Sequence, residues 1–144
     1  MGQNIYKLKF ELHAEHSNVI GDKAGRHLHS FSLLLYLKSL HDKLELYQNI
    51  ETQINNWLAS YQNMYLDESV LFADGDTTLE NMGNVFFKEI GNVVGQAGYE
   101  LLRLDIYETP IRTYSVTKEI YDASINRVHK LYVAPSVREK KKLR

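Results

Sequence analysis

The chain contains no cysteine, which excludes a disulfide framework and all thiolate chemistry. No apolar run approaches the length of a membrane span, and the N-terminus lacks the apolar core of a secretory signal. It therefore reads as cytoplasmic, with no membrane partner. An excess of positive charge is also missing: 17 Lys and Arg face 18 Asp and Glu, for a net charge of -1. The one cationic run is terminal, where Arg138, Lys140, Lys141, Lys142 and Arg144 face only Glu139. Such a run reads as a solvated, frayed end, so no nucleic-acid partner is expected. There is no internal repeat or linker. What remains is 144 residues, 44% of them hydrophobic, enough for one domain with a real core.

The most informative stretch is His27 to Leu37. At the two-residue period of a strand, His27 and His29 point the same way as Phe31, Leu33, Leu35 and Leu37. Two imidazoles thus open the face that builds the core. Neutral imidazole is the commonest metal ligand, and a spacing of two on a strand lets both rings converge on one ion. Ile5 to His16 alternates in the same manner, with Tyr6, Leu8, Phe10, Leu12, Ala14 and His16 on one face. A loop over residues 18–26 would join the two strands antiparallel and bring His16 beside His27 and His29.

Residues 48–65 carry Ile50, Ile54, Trp57, Leu58 and Tyr61 at helical spacing. Thr77-Thr78-Leu79-Glu80 has the form of a capping box, with Thr77 as N-cap and Glu80 three residues on. It opens a second amphipathic helix along Leu79, Met82, Phe86, Ile90 and Val93, ending near Gly95 or Gly98. Tyr99 to Thr109 returns to strand, with Leu102, Leu104, Ile106 and Glu108 on one face. Pro110 turns the chain, and Thr113 to Ile120 pairs back as a hairpin strand. The order strand, strand, helix, helix, strand, strand, with helices on one face of an antiparallel sheet, is α+β. One domain is expected over 1–120, followed by a C-terminal extension over 121–144 with its basic tail.

These motifs resemble the 6-pyruvoyltetrahydropterin synthase and 6-carboxytetrahydropterin synthase family, within the tunnelling-fold superfamily. Its Phe-x-x-x-Ala-x-His first strand reads here as Phe10-Glu-Leu-His-Ala14-Glu-His16, and its Cys-x-x-x-His-Gly-His as Lys23-Ala-Gly-Arg-His27-Leu-His29. Its Thr-x-Glu-Asn helix start is Thr78-Leu-Glu80-Asn81, and its Glu-Thr after the third strand is Glu108-Thr109. The resemblance implies zinc on His16, His27 and His29, and a pterin or related purine-like ligand gripped by Glu108 and Thr109 through paired hydrogen bonds. It also implies a sheet closed into a barrel across subunits of a homo-oligomer, a trimer or hexamer.

Three departures limit the carry-over. The family's general-base cysteine is Lys23 here. Its Leu-Asp-His segment falls on Tyr61-Gln62-Asn63, or in a second register on Leu66-Asp67-Glu68. The glycine between the two histidines is Leu28, which would crowd the pocket or shift the strand slightly. A lysine desolvated beside a zinc ion could be neutral near pH 7 and act as a base. Three readings follow: a zinc-dependent lyase acting on a dihydroneopterin triphosphate-type pterin with altered base chemistry, a pterin- or purine-binding homologue that keeps zinc and has lost catalysis, or a homologue that keeps only the oligomeric scaffold.

Overall fold

A computed structural model describes residues 5–17, 25–40, 47–73, 76–119 and 121–123. Strand β1 (Ile5–His16) pairs antiparallel with β2 (His27–Ser39), β2 with β3 (Tyr99–Thr109), and β3 with β4 (Arg112–Thr117). The spatial order follows the chain order, β1-β2-β3-β4. Helices α1 (Gln48–Ala59) and α2 (Leu79–Gln96) cover one face of this sheet.

The alternation in β1 and β2 decides which face is covered. Leu8, Phe10, Leu12 and Ala14 of β1 join Phe31, Leu33, Leu35 and Leu37 of β2 in the core, while the intervening residues stay exposed or half-buried. Helix α1 buries a narrow stripe, Ile50, Ile54 and Leu58, and α2 a wider one through Met82, Phe86, Ile90 and Val94. Each of these side chains contributes about 1.5–3 kcal/mol by leaving water. The tunnelling α+β fold expected from the sequence is the fold observed. Among the described residues no helix is long and apolar enough to cross a membrane.

Four local expectations are corrected. Helix α1 stops at Ala59 rather than near 65, because Asn63 takes a left-handed φ of 64° and turns the chain back onto β1. There the Gln62 side chain acts as a short strand: its amide nitrogen donates to the Glu11 carbonyl, and its oxygen accepts from the His13 N–H. This covers part of an open sheet edge. In β3 a bulge at Leu102 lets Leu37 pair with Leu101 while Tyr36 pairs with Arg103. Tyr99 and Leu101 therefore share the core face with Leu104 and Ile106, and Leu102 is displaced from it. Strand β4 ends at Thr117, short of Ile120.

The N-cap of α2 is Thr78, not Thr77. The Thr78 hydroxyl accepts the Asn81 N–H at 3.3 Å, and its carbonyl accepts the Met82 N–H at 2.8 Å. Thr77 is fully buried and engaged elsewhere, as described below.

Candidate metal centre

Strand register brings the three histidines together. His16 lies opposite His27 at the mouth of the β1–β2 pair, and Ala14 lies opposite His29. The ring centroids of His16 and His27 are 4.6 Å apart, those of His27 and His29 4.6 Å, and those of His16 and His29 5.1 Å. Phe31 closes the floor, its ring edge-on to His16 at 5.0 Å. Leu28 does not crowd this space, because strand alternation turns it outward and leaves it 65% exposed. The β1–β2 register runs without a shift past it.

Backbone carbonyls fix which nitrogen each ring presents. His16 Nδ1 lies 2.8 Å from the Thr77 carbonyl, and His27 Nδ1 lies 2.5 Å from that of Gly25. A carbonyl can only accept, so both Nδ1 atoms carry the proton and both Nε2 atoms point a lone pair at the cluster. His16 Nε2 is buried with no hydrogen-bond partner. A buried lone pair left bare is costly in an apolar setting, and a cation is the partner that suits it. This orphaned atom is the reason the cluster fits a metal ion.

The fourth member is Glu108, 6% exposed, with Oε1 3.4 Å from His16 Nε2 and 3.2 Å from His29 Nε2. One donor atom from each of the four residues lies within 4.8 Å of the others. The second carboxylate oxygen accepts from Arg112 Nη1 at 3.2 Å. Burial is the first cause that holds the His16 and His29 imidazoles below their ordinary pKa, and neighbouring imidazoles add to it. The Glu108 carboxylate opposes that shift in both rings. Neutral imidazole is the form that binds metal, so the environment keeps the ligands ready.

Asp67 supports the cluster from below. It sits in a short 3-10 turn, Leu66–Glu68, and accepts from the Thr77 hydroxyl at 2.6 Å and the Ser17 N–H at 3.2 Å. Thr77 in turn holds His16 through its carbonyl. Of the two registers considered for the 61–68 segment, Asp67 is linked to His16 through Thr77, while Gln62 is committed to the sheet edge. The tandem Thr77-Thr78 was the available signal: either could cap, and the one not capping was free to serve the site.

Glu108 helps wall two cavities. The larger, of about 450 Å³, also has Ser30, Ser32, Tyr107 and Thr109 in its lining. The other, of about 310 Å³, has Thr78, Leu79 and Arg112 at the start of α2 and β4. His13 bonds Ser30 on the exposed side and takes no part in the cluster. Lys23, His41 and His129 lie outside the described residues, as does the extension beyond residue 123.

An antiparallel sheet carrying two helices on one face and three imidazoles with a carboxylate at one end defines a tunnelling-fold protein with a candidate metal centre. The family model of 6-pyruvoyl tetrahydropterin synthase matches residues 5–119, and the chain belongs to that family. The fold is similar to 6-pyruvoyl tetrahydropterin synthase from Caenorhabditis elegans, with a TM-score of 0.68 at 15% identity, covering 81% of this chain and 96% of that one. It is also similar to an uncharacterized protein of Wolinella succinogenes, with a TM-score of 0.60 at 10% identity, covering 82% and 99%. A third likeness is a Plasmodium vivax 6-pyruvoyltetrahydropterin synthase whose catalytic glutamate is replaced by cysteine, with a TM-score of 0.50 at 12% identity, covering 78% and 97%. No curated protein matches the chain in sequence.

Proposed function

We propose that the chain is a zinc-binding member of its family that acts on a pterin of the dihydroneopterin triphosphate type by lyase chemistry, as a homo-oligomer. The observation that carries this reading is the bare, buried Nε2 of His16 converging with His27, His29 and Glu108. His16, His27 and His29 hold the ion. Zinc bound there supplies a Lewis acid that polarises a substrate oxygen and acidifies the neighbouring C–H. Glu108 and Thr109 anchor the ring: a carboxylate accepting two N–H groups from an amino-pyrimidinone edge fixes both orientation and identity. Glu108 and Thr109 also line a cavity of about 450 Å³, within the range of small-molecule sites, whose lining includes none of the three histidines.

The base is Lys23, at the family's cysteine position. A lysine brought out of water beside a bound ion is favoured in its neutral form, which can take a proton. The Plasmodium vivax synthase has a glutamate as its catalytic residue, so a cysteine is not a requirement of the class. The absence of cysteine favours a second reading as well, a pterin- or purine-binding homologue that keeps zinc and turns nothing over.

The test is release of triphosphate and pterin product from 7,8-dihydroneopterin triphosphate by zinc-loaded protein, beside Lys23→Ala and Glu108→Ala. Turnover lost in Lys23→Ala supports the lysine as base. Product from that variant at the wild-type rate moves the base elsewhere. Ligand binding without product, lost in Glu108→Ala, establishes the binding homologue. Neither binding nor product from the wild-type protein overturns both readings.

A further inference from the structure

Glu108 occupies an unusual place in the sheet. Tyr107 pairs with Thr113 and Thr109 with Arg112, so Glu108 is left over as a bulge residue, and its last neighbour in register with β2 is Tyr107 opposite Ser32. Alternation from Leu104 and Ile106 puts its buried carboxylate on the core face that carries the histidines, and the bulge frees Glu108 from pairing with β4.

We propose that in the protein free of small-molecule ligand Glu108 is itself a metal ligand, closing the centre as three imidazole nitrogens and one carboxylate oxygen. Glu108 must then leave the ion before it can anchor a ring or before a substrate oxygen can approach. The inference rests on the metal part of the preceding reading and deepens it.

Three features carry it. His16 Nε2 and Glu108 Oε1 face each other at 3.4 Å, and both are acceptors, since the His16 proton is on Nδ1 beside the Thr77 carbonyl. Two such atoms facing each other inside a buried site repel unless a proton or a metal ion lies between them, and 3.4 Å is longer than a shared proton would hold them. The spacing of Oε1 from two of the imidazoles is that of ligands sharing an ion. Nitrogen and oxygen donors about 2.0–2.1 Å from a tetrahedral zinc stand about 3.3–3.4 Å from each other. The two contacts of Oε1 with His16 and His29 are 3.4 and 3.2 Å. Finally, Oε2 is held by Arg112, which leaves Oε1 to bind through one oxygen and orients it.

Closed four-ligand sites and open three-ligand sites respond differently to an added anion, because only the open site has a position to offer. The experiment is therefore done without pterin. Zinc affinity is measured by chelator competition, and the cobalt-substituted protein is titrated with azide by visible spectroscopy, for wild type, Glu108→Gln and Arg112→Ala. The wild-type spectrum is expected to be indifferent to azide. Glu108→Gln should bind zinc at least about tenfold more weakly, since even an outer partner of a ligand is worth 10–100-fold. Its cobalt spectrum should shift with azide, and Arg112→Ala should bind zinc more weakly than wild type, because Glu108 then loses the partner that orients Oε1.

A wild-type spectrum that shifts with azide overturns the proposal without needing any variant. Equal zinc affinity in Glu108→Gln also overturns it, while leaving the three-histidine centre intact. A wild-type protein that takes up neither metal removes the metal reading and this inference together.

Discussion

Replacing Asp67 by alanine tests whether the imidazoles are held from outside the cluster. The perturbation removes one acceptor that serves two donors, the Thr77 hydroxyl at 2.6 Å and the Ser17 N–H at 3.2 Å. Hydrogen bonds to a charged group contribute about 1.5–3 kcal/mol each. Asp67 is half-buried and one of its bonds is long, so a loss of about 2–3 kcal/mol in the metal-free protein is expected. The second effect is on the metal. Without Asp67, Thr77 loses its anchor, and the Thr77 carbonyl is what orients His16. Outer partners of this sort are worth about 10–100-fold in metal affinity, or about 1.4–2.7 kcal/mol. Urea unfolding of the chelated protein reads the first effect and zinc competition reads the second. Thr77→Ser, which keeps both the hydroxyl and the carbonyl, should leave zinc affinity within about threefold of wild type. Asp67→Ala with lowered stability but wild-type zinc affinity would refute a positioning role and leave Asp67 a structural residue only.

Other perturbations give simpler readouts. A methyl on Gly83 would meet the Tyr114 ring at 2.6 Å and the Ile106 side chain at 3.3 Å. Overpacking of this sort costs about 1–3 kcal/mol against a helix-propensity gain of about 1 kcal/mol, so Gly83→Ala should lower the urea midpoint or, at best, leave it unchanged; a raised midpoint would contradict the packing. Phe31→Ala removes a fully buried ring under the histidines and should cost about 3–5 kcal/mol in urea unfolding. Burial depresses the His16 and His29 pKa in the folded chain, so below about pH 6.5 the unfolded chain takes up protons first. Their contribution to stability is therefore present above that pH and is lost as pH falls. The urea midpoint of chelated wild type should drop from pH 7 to pH 5 more steeply than that of His16→Gln, and parallel profiles would count against the assignment.

How much of this was legible in sequence follows from what sets each feature. His16, His27 and His29 could be read because period-two alternation is local, and a buried apolar face makes a register slip costly. Leu28 was misjudged for the same reason in reverse: its neighbours bind inward, so it must point outward, and no crowding arises. The bulges at Leu102 and Glu108 were not legible, because an extra residue in one strand is decided by what the partner strand offers. Glu108 itself was legible on the core face, two residues on from Ile106, but its approach to 3.2 and 3.4 Å from the imidazoles was not. Thr77 and Thr78 are chemically equal as caps, and the choice falls to tertiary contacts with Asp67 and His16. The positions of Gln62 and Asp67 were hidden as well, because they depend on the preceding helix ending at Ala59.

These cases separate the site into two physical layers. The three imidazoles project from strands whose alternate residues build the core, so moving them means moving Phe31, Leu33 and their partners. The groups that hold the imidazoles from outside come from the 60–78 segment, which carries Asp67 and Thr77, while Lys23 lies outside the described residues. Leu66 and Phe72 of that segment are buried in the core, but Asp67 is half-buried, so a polar position there can change type without removing an apolar contact. Metal-binding capacity and base chemistry are thus free to diverge, and a chain that keeps the histidines without a cysteine is mechanically unsurprising. Glu108 belongs to the first layer by its strand and to the second by its bulge. It is the residue through which a change in the loops could be felt at the metal, and the one whose substitution best tells an open centre from a closed one.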